Sequence, residues 1–535
     1  MDVLIRLKTH AARTKKNLQT GWMVLRGAPP AKNFILTFGL CLVLSVTFLL
    51  IASKSSPLYP LNDWVDPHAF FTMGRGMLRG LVPYRDLFEQ KGPLLYFVHG
   101  LASLISENTF LGVFIFEVLF FTIFLFYAHQ LIGLFVDWQY ALLALPWVTT
   151  AILNLRSFAH GGSAEQFTLP FLMISLYYLV RYFKSEYPRP LPYRWAVING
   201  LIAGCVLWIK YSFLGFWFGW MVVILIGMLI HKHWQAVVKS SLWFLGGMLI
   251  ATLPWLAYFG AHGAIGYWIE TYIIINLTSY PVTFSLVDRL RVPLLDYRRH
   301  VSFNPLAIGL LLFGLVMITT NRKYLKNLIG RAGLVLCVGL LILGVYGGGR
   351  SFIYYFFIFA PLTLFGFIVI ADLYQQAYEK TPSRLLFFGF LFTSILVTLP
   401  YTLRYHRNTY MLDWELENMV QYEFASILNQ ADNPSLLNYS FPDGGFYTVA
   451  GLLPQVRFFQ SQNILPDDYP LWWEEHNRYI VDQEVDFIVM RYPPDVDPET
   501  LPIPHLYENY HLIRTRLQYF GDIQFKYLLF EKTTP

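Results

Sequence analysis

Charged side chains are scarce in this sequence. Only 14% of its 535 residues are charged, whereas 55% are hydrophobic and the mean hydropathy is +0.44. Because an average soluble domain has about 25% charged residues, this composition excludes an ordinary soluble enzyme. It is typical of a chain with many membrane spans.

Cysteine is nearly absent as well. The three cysteines, Cys41, Cys205 and Cys337, each lie inside an apolar run. Cysteines in such surroundings behave as small buried hydrophobic side chains. The sequence therefore predicts neither a disulfide framework nor a cysteine-based metal site.

Acidic residues are almost missing from the first 32 positions, which hold seven Lys or Arg and one Asp. These cations supply most of the net charge of +6. A basic tail can bind nucleic acid, but beside a first membrane span it favours anionic lipid at the cytoplasmic surface. We interpret residues 1–32 as a basic cytoplasmic tail and expect no nucleic-acid partner.

Long apolar runs fill most of the remaining chain. The first, NFILTFGLCLVLSVTFLLIA at 33–52, carries no charge over 20 residues. It can cross a bilayer core of about 30 Å as a helix, and it is too long for a cleaved secretory signal. Ten further runs predict spans near 109–132, 139–155, 166–183, 195–209, 212–230, 240–259, 303–319, 332–347, 352–371 and 385–401. The sequence thus predicts an all-α polytopic bundle of about eleven membrane-spanning helices.

Lys and Arg are unevenly distributed over the loops between these spans. With the N-terminus inside, the predicted cytoplasmic loops 181–194, 231–239 and 321–331 are basic, whereas the outer loops 156–165 and 348–351 hold one Arg each. This asymmetry follows the positive-inside rule. An odd number of spans then places the C-terminal end outside.

The character of the chain changes near residue 402. The segment DWELENMVQYEFASILNQ has helical periodicity, and PSLLNYS, DFIVMR and KYLLFEK predict short strands. We therefore expect a membrane domain at 33–401 and a small extracytoplasmic α/β domain at 402–535.

The first external loop, 54–108, is unusually polar. Residues 66–80 predict a helix with Asp66 as its N-cap and Pro67 in its first turn, and 92–105 predict a second short helix. Four apolar residues share one face of the first helix, so we expect it to lie along the membrane surface. They are Phe70, Met73, Met77 and Leu78.

This loop contains the motif D66-x7-G74-x5-G80-x2-P83-Y84-R85-D86-x4-K91-x-P93-L94-L95-Y96. The motif resembles the first external loop of the GT-C superfamily of polytopic glycosyltransferases, and most closely the branch of protein O-mannosyltransferases and the lipid A aminoarabinose transferase. The resemblance implies an enzyme of the bacterial cytoplasmic membrane that takes a sugar from a polyprenyl-phosphate donor. It would pass the sugar to a lipid, polysaccharide or protein of the envelope, outside the membrane.

The resemblance also implies roles for the loop residues. Asp66 corresponds to the first-loop aspartate and would act as general base. Many members carry an acidic pair there, whereas here Asp63 lies three residues earlier; the downstream spacing favours Asp66. Lys91 corresponds to the lysine associated with the donor phosphate, and Arg85 would supply a second cation.

Asp86 and Glu89 have two interpretations of equal weight, either orienting those cations or forming structural ion pairs. Glu165 resembles the family's second external acidic position, although a first-turn helix residue fits it as well. His160, Lys210 and Arg350 complete the predicted substrate-binding set. Of these, Lys210 interrupts two apolar runs that are together too long for one span.

Two matters stay open at this level. Asp66 and Glu165 are oxygen ligands that a divalent cation would accept, but the resembled branch does not require a metal, and we predict none. A transporter or flippase for a lipid-linked saccharide would also need a polar cavity with cations, and a non-catalytic assembly protein would not need Asp66. The sequence indicates neither the sugar, the acceptor nor the oligomeric state.

Overall fold

The computed structural model describes residues 31–282, 285–378, 383–439, 441–520 and 523–533. The predicted basic tail therefore lies, apart from residues 31 and 32, outside the described residues. The longer helices follow in chain order: α1 (Ala31–Ala52), α2 (Val65–Leu78), α3 (Pro93–Ser103), α4 (Leu111–Ile132), α5 (Trp138–Leu153), α6 (Ala164–Arg181), α7 (Tyr193–Lys210), α8 (Gly215–Ile230), α9 (Trp234–Ala261), α10 (Leu286–Phe303), α11 (Pro305–Thr320), α12 (Leu328–Tyr346), α13 (Leu364–Ala377), α14 (Arg384–Tyr405), α15 (Val420–Leu428) and α16 (Pro470–Val481).

Within the described ranges, seven helical runs are long and apolar enough to cross a membrane. They are Asn33–Ala52, Leu111–Ile132, Tyr193–Ile230, Trp234–Ala261, Leu328–Tyr346, Ile353–Ala377 and Leu385–Tyr405. A bent pair, α10 with α11, passes the same test together, and α5 is a shorter apolar helix. The structure is therefore a helical membrane bundle, and the count of eleven spans stays a prediction.

One of these runs, Tyr193–Ile230, folds back on itself. Its 38 residues would extend about 57 Å as one straight helix, nearly twice a bilayer core. At Lys210 the backbone leaves the helical region, with φ −158° and ψ 98°. The residues that flank the two ends of the run lie close together, since the Tyr187 hydroxyl hydrogen bonds His231 Nε2 at 2.8 Å. The run consists of two antiparallel helices, α7 and α8, with Lys210 at the bend.

The loops that are predicted to be cytoplasmic gather at one end of the bundle. Asn327 Nδ2 donates to the Phe183 carbonyl at 2.6 Å, and Lys323 pairs with Asp372. At the same end, the backbone N–H of Asp137 donates to Gln375 Oε1 at 2.7 Å. The structure thus places these basic loops together; which side of the membrane they face stays a prediction.

Helix α10 occupies a stretch for which the sequence predicted only loop. It meets α11 at a bend of 119°. Its Asp296 accepts hydrogen bonds from Ser351 Oγ, at 2.6 Å, and from the Tyr346 hydroxyl. A search for uncharged runs misses this helix because four arginines lie within its 18 residues.

The C-terminal residues form a four-stranded sheet with the strand order β1-β2-β4-β3. Its strands are β1 (Leu436–Tyr439), β2 (Phe487–Tyr492), β3 (Tyr510–Phe520) and β4 (Ile523–Lys532). β1 and β2 are parallel, and the other pairs are antiparallel. Three strands match the predicted segments. β3 was not predicted, because its mostly exposed side chains include three cationic or imidazole groups and give no apolar alternation.

This sheet domain packs against the first external loop. Thr72 Oγ1 donates to Asp443 Oδ2 at 2.7 Å, and Arg75 donates to the carbonyls of Tyr447 and Gly451 at 3.1 and 2.9 Å. Phe70 and Met73 of α2 are buried in the core that the two regions share. The predicted apolar face of α2 therefore packs largely against protein, which corrects the expectation of a helix resting on the membrane surface.

Candidate active site

Asp66 lies in the first turn of α2 at the edge of a small cavity. The helix begins at Val65, and its N-cap is Trp64, which makes no side-chain capping bond. The prediction that Asp66 caps this helix is therefore wrong. The Asp66 side chain lines the cavity together with Phe70, Lys91 and Tyr280. Among the residues that the structure describes, none donates a hydrogen bond to the Asp66 carboxylate.

Lys91 faces the same cavity and is held by Glu89. Lys91 Nζ lies 3.5 Å from Glu89 Oε1, and the backbone N–H of Lys91 donates to Glu89 Oε2 at 2.8 Å. The Tyr96 hydroxyl also donates to Glu89. Glu89 therefore lies against both the ammonium group and the backbone of Lys91, which fits either interpretation, and its orienting role stays a prediction. Burial alone would lower the pKa of Lys91, but its acidic neighbours, Glu89 first among them, together outweigh burial and raise it.

The segment that carries Lys91 is fixed against the end of α7. Gly92 packs so closely there that a Cβ atom would overlap the carbonyl of Trp208. The Gly92 backbone N–H donates to the Ile209 carbonyl at 3.0 Å. Glycine is required at this position because any side chain would push Lys91 away from the α7 terminus.

Lys210 and Glu165 form a buried pair beside this cavity. Their side chains are 12% and 1% exposed, and Lys210 Nζ lies 2.6 Å from Glu165 Oε1. Ser163 caps α6 by accepting the Gln166 N–H at 3.0 Å, which sets Glu165 in the first helical turn. Lys210 Nζ also lies 3.9 Å from the centre of the Tyr355 ring.

The electrostatics of Asp66 show that these groups share one environment. Burial raises the pKa of Asp66; Lys91 opposes that rise, Glu89 and Glu165 add to it, and Lys210 opposes it. A carboxylate with a raised pKa and no hydrogen-bond donor is poised to accept a proton. Two ammonium groups near it can stabilise negative charge that develops on a substrate.

Arg350 lies just behind the cavity wall. Its Nε donates to the Tyr280 carbonyl at 2.7 Å, and the guanidinium lies 4.2 Å from the centre of the Tyr280 ring. Tyr280 itself lines the cavity, with its hydroxyl 3.0 Å from that of Tyr355. Arg350 therefore supports a wall residue, and the structure does not place it on the cavity surface.

His160 belongs to a separate cluster around Asp63. Asp63 Oδ1 lies 2.6 Å from His160 Nδ1 and 2.8 Å from Lys54 Nζ. Burial opposes ionisation of Asp63, but His160 and Lys54 outweigh burial and hold its pKa below the ordinary value. Burial lowers the pKa of His160 to about 4. The Trp64 ring contacts both His160 and Tyr354, and the structure does not bring His160 to the wall of the Asp66 cavity. Its substrate contact stays a prediction.

Arg85 and Asp86 pair with each other outside the cavity. Arg85 Nε lies 2.8 Å from Asp86 Oδ1, and a second Arg85 nitrogen donates to the His262 carbonyl at 3.0 Å. Asp86 also accepts the Val82 N–H at 2.7 Å, which closes the turn after α2. The structure therefore does not bring this predicted substrate-binding pair to Asp66 and Lys91.

The C-terminal domain contributes cavity residues that sequence reasoning missed. The segment Gln460, Ser461, Gln462 and Asn463 lines the wall opposite α2. Ser461 Oγ and Gln90 Nε2 are buried and have no hydrogen-bond partner among the described residues. No sequence signal links this segment to a loop about 370 positions earlier, because only the packing of the two regions brings them together.

A metal site finds little support in this arrangement. Among the residues placed by the structure, no three His, Cys, Asp or Glu side chains gather in a way that could hold a metal ion. The charged groups of the cavity instead pair carboxylates with ammonium groups. The described residues of the cavity do not fit a divalent cation.

Comparison with solved structures identifies the fold. ArnT from Cupriavidus metallidurans bound to undecaprenyl phosphate has a TM-score of 0.57 and 10% identity, over 94% of this chain and 98% of that chain. Apo ArnT has a TM-score of 0.56 at the same identity and coverage. The archaeal oligosaccharyltransferase AglB from Archaeoglobus fulgidus is more distant, with a TM-score of 0.45, 10% identity, and coverage of 86% and 70%. The full-length likeness to ArnT confirms the predicted GT-C fold.

The sequence itself also matches a family. No curated protein matches the chain. Residues 34–385, about two thirds of the chain, match the family described as "Putative competence-induced protein Ccs4 N-terminal domain". The chain therefore belongs to the Ccs4 N-terminal domain family, and it has the GT-C fold.

Proposed function

We propose that the protein is a membrane glycosyltransferase that moves a sugar from a polyprenyl-phosphate donor to an envelope acceptor. The observation that carries this proposal is the Asp66 carboxylate, which has no hydrogen-bond donor among the described residues, in a cavity lined by Lys91 with Lys210 close by. A base and a phosphate-binding charge are the two groups that transfer from a lipid phosphate needs.

The reaction follows from this placement. Asp66 accepts the proton of an acceptor hydroxyl while that oxygen bonds to the anomeric carbon of the donor sugar. The bond from that carbon to the phosphate oxygen breaks, and the electron pair leaves with the polyprenyl phosphate. Lys91 and Lys210 offset the charge that the phosphate gains, and attack opposite the leaving group inverts the anomeric centre.

The carboxylates beside the two lysines fix the positions of the ammonium groups. Glu89 and Glu165 each hold one ammonium group in place, so neither lysine has to reorganise when charge develops. Undecaprenyl phosphate bound to ArnT, a protein of the same fold, supports the choice of a polyprenyl-phosphate donor.

The C-terminal domain closes the cavity over the reacting groups. Amide and hydroxyl side chains at 460–463 both donate and accept hydrogen bonds, which suits the hydroxyl groups of a saccharide. The basic loops at the far end of the bundle support an outward-facing cavity in a bacterial plasma membrane.

The decisive experiment is transfer in proteoliposomes from a labelled polyprenyl-phosphate sugar. We expect labelled acceptor to appear together with free polyprenyl phosphate. A transporter or flippase would move the donor across the bilayer and leave the sugar–phosphate bond intact. Movement without cleavage would contradict the proposal.

A further inference from the structure

A second cavity lies in the membrane bundle, apart from the Asp66 cavity. It is a groove of about 970 Å³ between α5, the junction of α10 with α11, α13 and α14. Leu143, Leu306 and Phe390 are among its many apolar lining residues. Its volume is at the upper end of the range for small-molecule sites.

The groove runs along most of the membrane depth. Tyr140 and Tyr374 line one end, near the loops that gather at the far side of the bundle. Asn154 and Asn304 line the other end. Asn154 directly follows α5 and lies 14 residues after Tyr140. At 1.5 Å per residue, that separation is about 21 Å, two thirds of a bilayer core. Such a groove accommodates hydrocarbon chains lying along the membrane normal.

Two exposed arginines lie at the end that Asn154 and Asn304 line. The Arg156 backbone N–H donates to Asn304 Oδ1 at 3.2 Å, and its guanidinium lies 4.2 Å from the centre of the Phe303 ring. Arg407 donates to the Arg156 carbonyl at 3.1 Å. Over the described part of the chain, neither guanidinium is within 4.0 Å of a carboxylate. Asp63, the carboxylate that attracts Arg407 from further away, is already in contact with Lys54 and His160. Two adjacent cations with no described carboxylate in contact are suited to an anionic group.

The position of these arginines is set by buried neighbours. Asn408 Nδ2 donates to the carbonyls of Ala52 and Ala159 at 2.7 and 3.0 Å, and His406 Nε2 hydrogen bonds the Leu153 carbonyl at 3.1 Å. The segment that follows α14 is therefore anchored, while Arg407 as a residue is exposed. The cations are held at the mouth of the groove before any ligand arrives.

We infer that this groove binds a phospholipid with an anionic head group, whose acyl chains fill the groove and whose phosphate meets Arg156 and Arg407. Two features favour this occupant: the positive charge of the two arginines at the mouth of the groove, and the apolar walls that run along the membrane depth. A packed helix of a second copy would fill the apolar part but leave the two arginines without a counter-ion. The site is distinct from the catalytic cavity and does not depend on the proposed transfer reaction.

The first test is native mass spectrometry of the full-length protein in detergent. Phosphatidylglycerol should bind more tightly than phosphatidylcholine with the same acyl chains. The double variant R156Q/R407Q should lose that preference by on the order of thirtyfold, since each basic residue near an anionic head group contributes about a factor of five. The matched control R514Q/R516Q removes two charges from the C-terminal sheet and should keep the preference.

A second measurement needs no variant. Phosphatidylglycerol with a photoreactive acyl chain should label peptides within 140–155 and 303–310. Equal binding of the two lipids by the unaltered protein, or labelling confined to other helices, would overturn the proposal. Displacement by an equimolar amount of undecaprenyl phosphate would assign the groove to the donor chain and would also overturn it.

Discussion

Asp63 and Asp66 are three residues apart, yet their surroundings are opposite. The Asp63 side chain is 1% exposed and pairs with Lys54 and His160, which hold its pKa below the ordinary value. The Asp66 carboxylate has no hydrogen-bond donor in the described ranges, and burial raises its pKa. A paired carboxylate stabilises a structure, whereas an unpaired one in a cavity is available for proton transfer.

The lysines of the two regions differ in the same way. Lys54 is fully buried, and its Nζ lies 2.8 Å from both Asp63 oxygens. Lys91 is 18% exposed, and its Nζ lies 3.5 Å from Glu89 at the cavity surface. Lys54 also donates to the Tyr410 hydroxyl at 2.9 Å, so its three N–H groups are all used. Lys91, in contrast, can bind a phosphate without losing its carboxylate partner. Under the proposed function, the Lys54–Asp63 region is structural and the Asp66–Lys91 region carries the chemistry.

The largest expected effect is on catalysis by Asp66→Asn. The amide keeps the shape of the side chain but cannot accept the proton, so the transfer rate should fall by two to four orders of magnitude, roughly the contribution of a general base. Initial rates with the labelled donor measure this loss. Asp86→Asn is the matched control, because it alters a carboxylate of the same loop outside the cavity, and its rate should be near normal. A well-folded D66N protein with normal transfer would refute the catalytic assignment.

Asp63→Asn should act on stability instead. Breaking one partner of a buried ion pair leaves Lys54 unpaired and costs roughly 3–5 kcal/mol. We expect a clear drop in the thermal unfolding midpoint in detergent, with transfer per folded molecule largely retained. Asp63 is therefore unsuitable as a silent control for Asp66. An unchanged midpoint would show that the pair contributes no net stability.

Lys91→Ala should weaken use of the donor by roughly ten- to a hundredfold, the value of one charge-assisted contact. The loss should appear in kcat/KM for the donor, and the acceptor KM should change little. Lys54→Ala is an informative contrast, since it should lower stability and spare donor use. Normal donor kinetics in K91A would move the phosphate-binding role to Lys210.

The two carboxylates should also differ in their response to pH. Because the folded pKa of Asp66 is raised, its ionised, basic form is lost as pH falls through a value above the usual 3.9 for Asp, and kcat/KM should decline there. A raised pKa also means that ionised Asp66 destabilises the fold near neutral pH, so D66N should not lower the unfolding midpoint. For Asp63 the sign is opposite: its stabilisation is present above about pH 3.9 and is lost as pH falls through its lower folded pKa. A flat pH profile of transfer over the acidic range would contradict the role of Asp66.

The smallest expected effect is that of Arg85→Gln. Its pair with Asp86 is partly exposed, and pairs of that kind contribute about 0–1 kcal/mol. Transfer and donor affinity should stay within about fivefold of the parent, given that small free-energy range. A loss as large as that of K91A would return Arg85 to the phosphate site and weaken the contrast between the two regions.

Much of this protein could be predicted from its sequence, because the relevant signals are local. Uncharged runs predict membrane helices, and the motif from Asp66 to Tyr96 lies within 31 consecutive residues. Short-range spacing therefore indicated Asp66 and Lys91 and the GT-C fold. Helix α10 and strand β3 were not predicted because charged side chains interrupt the apolar pattern that would indicate a helix or a strand.

Only the tertiary structure decided which charges act together. Lys210 joins Glu165 across 45 positions, and the segment 460–463 reaches the cavity from a separate domain. The same packing pairs Asp63 with Lys54 and His160, and within the described part of the chain it gives Asp66 no hydrogen-bond donor. Sequence spacing cannot distinguish two aspartates in one loop, because burial and pairing depend on helices that meet them from distant parts of the chain.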